Sequence, residues 1–417
     1  MIDHLESPDW YFNLKSGPQM QEFLYEFLGV EPLSAKNDKG NYSVDESTLN
    51  YYAEHQNITF CQLILNYRKL LKAKNTYLSG IVNNISELDF MLHAEFWLNL
   101  AETYRSSSSD PNFQNIPKHG DLIPGLPWKT IRRMFVSLSY IEINQDPRFL
   151  LGETDYVGAE TKVAGMLSDD PQMIDDLNND VDMHSHWAII LFGLKGMSYD
   201  DVKNQYNDSY RFLAKNNFTF ANIYGAGNVS IAEEMRKSEH YIEYLQSIYN
   251  TLQRRQNFHD FCIDYSEKHI ADCQKVFYNR YSKFKKWQDE LLNSYYETGY
   301  VENPFGFRRR YPLKRNEIIN YPIQSTSFLL LLDSLIKIEE YILNETNWTT
   351  RLVGQIHDSA YSNINRYEIY DYIELVDYHM INKPDLPWTH KVKMDTDWSI
   401  GHSWYDMKSL NEYKRCN

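Results

Sequence analysis

One carboxylate with a position suited to metal chemistry is that of Asp155. It follows the apolar run 149–151 and precedes a series of apolar residues at helical spacing, Val163, Met166 and Leu167. This pattern predicts a buried strand that ends at Asp155 and turns into a helix. A carboxylate at a strand end can hold a divalent cation over a groove.

A second carboxylate has a comparable position much later in the chain. Residues 351–361 alternate between apolar and polar and predict two strands that meet at His357-Asp358. Asp155 and Asp358 together could hold two divalent ions, which is the arrangement that in-line phosphoryl transfer requires. The chain has 57 acidic residues, so the spacing from Asp155 to Glu160 alone would recur by chance. The prediction therefore depends on the pair.

The length, net charge and cysteine content limit the classes of protein to which the chain can belong. With 417 residues the chain predicts two or three domains. Its net charge of −15 excludes a protein that coats nucleic acid over its whole surface, but not one that binds it in a locally basic groove. Four scattered cysteines without C-x-x-C spacing indicate a reducing, cytosolic setting. No secretory signal and no apolar run long enough to span a bilayer is present.

Several elements could position a nucleic acid. Residues 60–82 predict one long helix, with a basic face that could follow a phosphate backbone. The leucines expected to face inward are Leu63, Leu65, Leu70, Leu71 and Leu78, and the basic residues expected to face outward are Arg68, Lys69, Lys72 and Lys74. The polar segment 105–117 is either a linker or a set of groups that contact phosphates and base edges.

The rest of the chain is predicted to be mainly helical. Residues 210–224 predict a helix, residues 231–298 several helices, and residues 323–338 a buried helix rich in leucine. Residues 299–306 predict a turn or short hairpin, which the basic triplet 308–310 follows.

Taken together, these stretches resemble the polymerase region of family A DNA polymerases. The resemblance runs from about Phe12 to Trp404, with several of the family's motifs in the family's order. The matching stretches are residues 105–117, 155–160 (motif A), 211–225 (motif B), 299–311, 320–324 and 355–358 (motif C).

The resemblance implies an α+β fold, a right-hand polymerase with an antiparallel-sheet palm, helical fingers and a helical thumb. It implies a thumb in residues 1–104, with the palm beginning near 90–104. It also implies the first part of the palm in 105–180, fingers in 181–298 and the second part of the palm in 299–417. Because the chain starts at the thumb, we expect no proofreading exonuclease within it.

The implied activity is template-directed addition of dNTPs to a primer 3′-OH by two-metal phosphoryl transfer, with release of pyrophosphate. The implied cofactor is a pair of Mg²⁺ ions, for which Mn²⁺ can substitute. The implied partners are primer-template DNA and dNTPs, with a separate exonuclease or processivity factor as a further possibility. We expect a monomer without membrane association, in the cytoplasm of a bacterial or phage-infected cell.

The resemblance also implies roles for individual residues. The expected catalytic and metal-binding groups are Asp155, Asp358 and the Tyr156 carbonyl. The expected nucleotide-binding residues are Glu160, which with Tyr224 would exclude a ribose 2′-OH, and His184, Arg211, Lys215 and Phe220. The expected DNA contacts are Arg68, Lys72, Lys74, Arg105, Gln114, Asn115, Arg132, Arg309, Asn320, Gln324, Gln355 and His357.

The chain departs from the family's pattern in motif B. Lys215 precedes Tyr224 by nine residues, where the family has eight. One extra residue rotates a helical position by ~100°, so a regular helix cannot present both side chains to a nucleotide. Either a π-bulge between them restores the geometry, or Asn216 takes the place of the lysine. We prefer the bulge.

Two further departures occur near the proposed metal site. Ser359 stands where the family has a glutamate, which removes a carboxylate. Tyr104 stands where the family has a glycine before Arg105, so we expect that loop to run differently.

Two other functions fit parts of the sequence. A single-subunit RNA polymerase shares the His357-Asp358-Ser359 form of motif C, although Glu160 and the segment 105–117 argue against it. The second alternative is a catalytically inactive homologue that only binds primer-template. Taken alone, Glu160 could instead interact with a helix dipole, and His357 could be a buried core histidine.

Overall fold

The computed structural model describes residues 12–33, 36–37, 39–118, 120–138, 148–252, 256–310, 312–382 and 386–416. The chain forms two compact units. The first comprises Met1–Phe96 and Ser108–Phe135, and the second comprises Trp97–Ser107 and Val136–Asn417.

The first unit is mostly helical. Its helices are α1 (Gly17–Gln21), α2 (Glu46–His55), α3 (Thr59–Lys72) and α4 (Ser79–Val82). Two π-helical turns continue α1 and α3, at Glu22–Phe27 and Ala73–Leu78, and two 3₁₀ segments follow later, at Phe113–Asn115 and Trp128–Met134. The strands β1 (Glu95–Trp97) and β2 (Ser107–Ser109) lie where the chain passes between units, and β3 (Asp121–Ile123) pairs with β4 (Leu126–Pro127).

The predicted long helix exists as α3, a π-turn and α4, but part of its predicted inward face is wrong. Leu63, Leu70 and Leu78 are exposed, whereas Ile64 and Leu65 are buried in the core of this unit. The small core covers only the side of α3 that carries Cys61, Ile64 and Leu65. Exposed leucines are common because polar groups cannot cover a whole protein surface.

The second unit is built on an antiparallel sheet of five strands in the order β11-β10-β5-β9-β8. Its strands are β5 (Phe149–Tyr156), β8 (Arg351–Ile356), β9 (Ser359–Asn365), β10 (Thr396–Gly401) and β11 (Lys408–Ser409). One face carries Leu150, Tyr156, Ile364 and Trp398, which form a buried core with helical residues such as Tyr372. The predicted α+β class is confirmed.

Helices make up most of the remainder of this unit. They are α5 (Ala159–Ser168), α6 (Pro171–Asn178), α7 (Met183–Phe192), α8 (Tyr199–Tyr206), α9 (Tyr210–Leu213), α10 (Phe220–Ile223), α11 (Asn228–Met235), α12 (Glu239–Leu252), α13 (Phe258–Arg280), α14 (Ser282–Thr298), α15 (Arg315–Glu345), α16 (Ile369–Asn382) and α17 (Leu410–Cys416). A π-helical turn, Ala214–Thr219, joins α9 to α10, and a 3₁₀ segment lies at Thr389–Lys391. The predicted hairpin is β6 (Tyr300–Glu302) paired with β7 (Arg308–Arg310).

One buried carboxylate joins two of these helices. Asp170 is 1% exposed, and its Oδ1 accepts hydrogen bonds from the amides of Gln172 and Met173 at the start of α6. Its Oδ2 accepts from the amides of Lys283 and Phe284 at the start of α14. The first backbone amides of a helix have no acceptor within the helix. Asp170 therefore accepts hydrogen bonds from the N-terminal amides of two helices at once.

We expect Asp170→Ala to lower the free energy of unfolding by about 2–4 kcal/mol, because it removes two helix caps and leaves buried amides without acceptors. The measurement is urea unfolding followed by circular dichroism. The matched control is Ser198→Ala, which removes an exposed cap from α8 alone, at a cost of about 1 kcal/mol. Equal losses in the two variants would contradict the double-cap assignment.

Candidate active site

Asp155 lies next to the end of β5, as predicted, among other polar residues at this end of the sheet. It pairs in register with Ser359 on β9 and with Asp397 on β10. Cross-strand partners share a face of the sheet, so these three side chains lie on one face. Gly158 then adopts φ 64°, a left-handed conformation that glycine accepts readily, and α5 begins at Ala159 with Glu160 in its first turn.

Asp358 occupies the turn between β8 and β9. Ile356 and Ser359 are register partners, so the turn consists of His357 and Asp358 alone. His357 is exposed and has φ 54°, which allows this tight connection. Because Ser359 also pairs with Asp155, the register brings the two predicted metal ligands to neighbouring strand ends.

Arg105 lies between Glu160 and Asp358. Its Nη2 donates to Glu160 Oε1 and lies 3.5 Å from Asp358 Oδ1. Burial raises the pKa of Glu160, and the charge of Asp358 adds to this increase, whereas Arg105 opposes it. The positive charge of Arg105 thus favours the ionised form of the Glu160 carboxylate.

The donor set fits a divalent metal ion bound by two carboxylates and a carbonyl. Asp358 Oδ1 is buried and accepts no hydrogen bond from any residue that the structure describes, so a lone pair remains for a ligand. No cluster of three or more His, Cys, Asp or Glu side chains suited to a metal occurs within the described ranges. Asp397, a carboxylate opposite Asp155, was not predicted, because no motif at that position marked it.

The predicted π-bulge in motif B is confirmed. The helix from Tyr210 to Ile223 is α-helical at both ends and π-helical at Ala214–Thr219, a turn that contains Lys215 and precedes Tyr224. A π-turn accommodates one extra residue without changing the phase of the helix beyond it. Gly225 follows with φ 76°, and a β-carbon there would be strained and would have to displace the side chain of Ile319.

The predicted nucleotide-binding residues of this helix share one neighbourhood with His184 on α7. The rings of His184 and Phe220 lie 5.7 Å apart, and Phe220 stacks on Tyr224 at 5.9 Å. Burial lowers the pKa of His184 to about 4, with further contributions from the charges of Arg211 and Lys215. His184 is therefore a neutral imidazole beside two cations at neutral pH.

Arg211 has protein partners that the sequence did not reveal. Its Nε and Nη2 donate to the two carboxylate oxygens of Asp182 at 3.0 and 3.1 Å, and Nε also contacts Ser185 Oγ at 3.2 Å. Asp182 caps α7 at the same time. Burial favours a raised pKa for Asp182, but hydrogen bonds from Arg211 and Ser185 outweigh it, so the pKa is lowered. The bidentate pair fixes Arg211 against α7.

The end of the motif B helix is also held by side chains. Gln274 Nε2 donates to Asn222 Oδ1 at 2.7 Å, while Tyr278 and Gln288 donate to the Asn222 carbonyl at 3.2 and 3.0 Å. These contacts satisfy carbonyls that a helix end leaves unpaired. They hold Tyr224, two residues on, at a defined position. Sequence reasoning did not identify this network.

The other predicted DNA contacts of the second unit lie at three places. Gln355 accepts a hydrogen bond from Ser106 and donates to the His357 carbonyl, so it lies at the site. Arg309 pairs with Glu102 and Glu317 beside Asn320, around a cavity of about 270 Å³. Gln324 is half-buried on α15.

Six predicted DNA contacts belong to the first unit, namely Arg68, Lys72, Lys74, Gln114, Asn115 and Arg132. Lys72, Lys74 and Asn115 are exposed. Arg68 donates to the Val44 carbonyl at 2.7 Å. Arg132 is buried and donates to the carbonyls of Ile116 and Pro117 at 3.1 Å each. Their roles toward DNA stay predictions.

Comparison with known proteins assigns a family. The sequence profile described as DNA polymerase family A matches residues 4–406. DNA polymerase I of Caldicellulosiruptor bescii is 26% identical over 411 residues, which are 95% of this chain and 41% of that protein. DNA polymerase I of Lactococcus lactis subsp. cremoris is 26% identical over 412 residues, 95% of this chain and 40% of that protein. The chain thus spans about two fifths of the length of these relatives.

A solved structure has the same fold. It is the POL domain of Pol1 from M. smegmatis in complex with DNA primer-template and dNTP, with a TM-score of 0.73 and 22% identity. The match covers 94% of this chain and 61% of that one. Among the helices of the described ranges, none has the length and apolar character needed to cross a membrane.

Proposed function

The chain belongs to DNA polymerase family A, and on this premise we propose that it is a template-directed DNA polymerase that adds dNTPs to a primer 3′-OH. The observation that carries the proposal is the meeting of three family motifs at one end of the central strands of the sheet. Asp155 pairs in register with Ser359, and Arg105 contacts both Glu160 and Asp358. The 3′-hydroxyl would lose its proton to solvent and its oxygen would bond to the α-phosphorus, while the α–β phosphoanhydride bond breaks and pyrophosphate leaves.

Asp155, Asp358 and the Tyr156 carbonyl would hold two Mg²⁺ ions, with Mn²⁺ as a substitute. When bound, such ions lower the pKa of the attacking hydroxyl and neutralise charge on the leaving group. The protein contributes the fixed orientation of its carboxylates: β5 holds Asp155, and the two-residue turn between β8 and β9 holds Asp358. Pre-set charges of this kind need no reorganisation during the reaction.

The motif B helix would bind the incoming nucleotide. Lys215 and Arg211 would face its phosphates, with neutral His184 as a hydrogen-bonding neighbour. Phe220 and Tyr224, whose rings stack on each other, would offer an apolar surface to the sugar and base. Glu160, in the first turn of α5, would occupy the space that a ribose 2′-OH needs.

The remaining proposed roles concern DNA. Arg68, Lys72, Lys74, Gln114, Asn115 and Arg132 would contact primer-template from the proposed thumb and neighbouring palm, and Arg105, Arg309, Asn320, Gln324, Gln355 and His357 from the palm. We retain residues 1–104 as the thumb, 105–180 and 299–417 as the palm, and 181–298 as the fingers. A cytosolic location agrees with buried free thiols at Cys61, Cys262 and Cys273. We further propose that the protein is a monomer.

The test is extension of one primed template, first with dNTPs and then with rNTPs. We expect extension with dNTPs and strong discrimination against rNTPs. A preference for rNTPs would favour the RNA polymerase alternative. Tight primer-template binding without extension by either set would indicate an inactive binder.

A matched pair of variants tests which residue of motif B binds the phosphates. We expect Lys215→Ala to raise the KM for dNTP roughly 10- to 100-fold, the value of one charge-assisted hydrogen bond. Asn216→Ala, one residue away on the exposed side of the π-turn, should change it less than about threefold. The reverse order would mean that Asn216 occupies the lysine's place. Steady-state single-nucleotide incorporation gives both constants.

A further inference from the structure

Within the part of the chain that the structure describes, Arg105 forms an ion pair with the proposed metal ligand Asp358. Its Nη2 is shared between Glu160 Oε1 and Asp358 Oδ1, the latter at 3.5 Å. The Asp358 Oδ1 atom accepts no hydrogen bond from the described residues, and Arg105 Nε is buried and makes none either. The guanidinium therefore compensates the carboxylate's charge without a complete set of hydrogen bonds.

The backbone around Arg105 is held on both sides. Ser106 Oγ donates to Gln355, whose amide donates to the carbonyl of His357, beside Asp358. On the other side, Tyr104 adopts φ 57°, and its ring packs on Phe307 at 4.8 Å. A non-glycine residue in this conformation persists only where its surroundings hold it. Any movement of the guanidinium is thus a change of side-chain rotamer on a fixed backbone.

A divalent ion and a guanidinium cannot both occupy the same side of Asp358 Oδ1. The ion and the guanidinium both need the lone pairs of Asp358 Oδ1, and the two cations repel each other in a partly buried site. An Arg105 side chain released from Asp358 still carries five N–H donors, which suit base edges and phosphates.

We propose that Arg105 is a positioning residue that serves as the resident counter-cation of Asp358, and that a bound divalent ion displaces it toward DNA. This inference rests on the proposed function. It makes metal binding and primer-template binding mutually favourable through one side chain. By linkage, each ligand then raises the affinity of the other by the same factor.

The first experiment measures Mn²⁺ binding to the whole chain without DNA, by electron paramagnetic resonance of the free ion. We expect Arg105→Ala to bind Mn²⁺ roughly three- to tenfold more tightly than the unaltered protein, because a competing cation is gone. The matched control is Arg351→Ala, which removes the same charge from the far end of β8 and should leave the affinity unchanged. Equal affinities in all three proteins would overturn the inference.

The second experiment measures primer-template affinity by fluorescence anisotropy, with and without Mn²⁺ and without nucleotide. Mn²⁺ should tighten binding by roughly threefold in the unaltered protein and in Arg351→Ala. In Arg105→Ala that increment should disappear. The same increment in Arg105→Ala would also overturn the inference.

Failure of the proposed function gives a different result. If Asp358→Asn leaves Mn²⁺ affinity unchanged, the ion does not bind at this carboxylate, and the metal assignment itself is wrong. If Asp358→Asn weakens Mn²⁺ binding but Arg105→Ala has no effect, the metal assignment stands and only the displacement of Arg105 is excluded.

Discussion

Asp155→Asn is expected to lower the rate of primer extension by on the order of 10³-fold or more, while the Kd for primer-template changes less than about threefold. Asparagine keeps the shape of the side chain but removes the charge that would bind the metal. The measurement is single-turnover extension by quenched flow, with anisotropy for DNA binding. Retained duplex binding separates loss of chemistry from loss of folding.

The matched control for this variant is Glu153→Gln, two residues earlier on the same strand and the same face of the sheet. It removes an equal charge from the same face of the sheet but away from the strand end. The rate of primer extension should therefore remain within about threefold of that of the unaltered protein. If Asp155→Asn still extends primers within tenfold of the normal rate, Asp155 is not a metal ligand. Asp397, opposite it on β10, would then be the next carboxylate to replace.

Glu160→Ala should raise the incorporation of rNTPs relative to dNTPs by on the order of 10²-fold. The carboxylate lies in the first turn of α5, which follows directly on the strand that carries Asp155. In the proposed binding mode, removing it would open space for a ribose 2′-OH. The ratio of kcat/KM for a matched rNTP and dNTP pair on one template measures the effect.

Glu160→Gln distinguishes size from charge. It keeps the volume, so the sugar preference should stay within about threefold if exclusion is steric. A large loss of the preference for dNTPs in this variant would mean that sugar selection depends on the ion pair with Arg105 rather than on the bulk of the Glu160 side chain. An unchanged ratio in Glu160→Ala would remove Glu160 from sugar selection.

Local patterns predicted the elements that carry the candidate site. The apolar run before Asp155 and the helical spacing after it gave the strand, turn and helix that the structure contains. Alternation around His357-Asp358 predicted the hairpin. Counting residues in motif B predicted the π-turn, because a helix of fixed pitch cannot otherwise present Lys215 and Tyr224 together.

Partners distant in sequence were not predictable in the same way. Asp182 holds Arg211, and carbonyls of Ile116 and Pro117 hold Arg132, yet nothing local marks either pairing. The exposure of Leu63 has the same cause, since the side of α3 that is covered depends on how much core the unit assembles. A side chain's choice among polar partners is a property of the packed fold, whereas strand ends and helical phase are properties of short segments.

The π-turn in the motif B helix determines where this chain aligns with a gap against its relatives. A single inserted residue that is absorbed within Ala214–Thr219 leaves the two ends of the helix in their original phases. Such an insertion can be inherited without rotating either end of the helix. An alignment of this chain should therefore carry its gap inside this turn, with residues counted forward from Arg211 and backward from Tyr224.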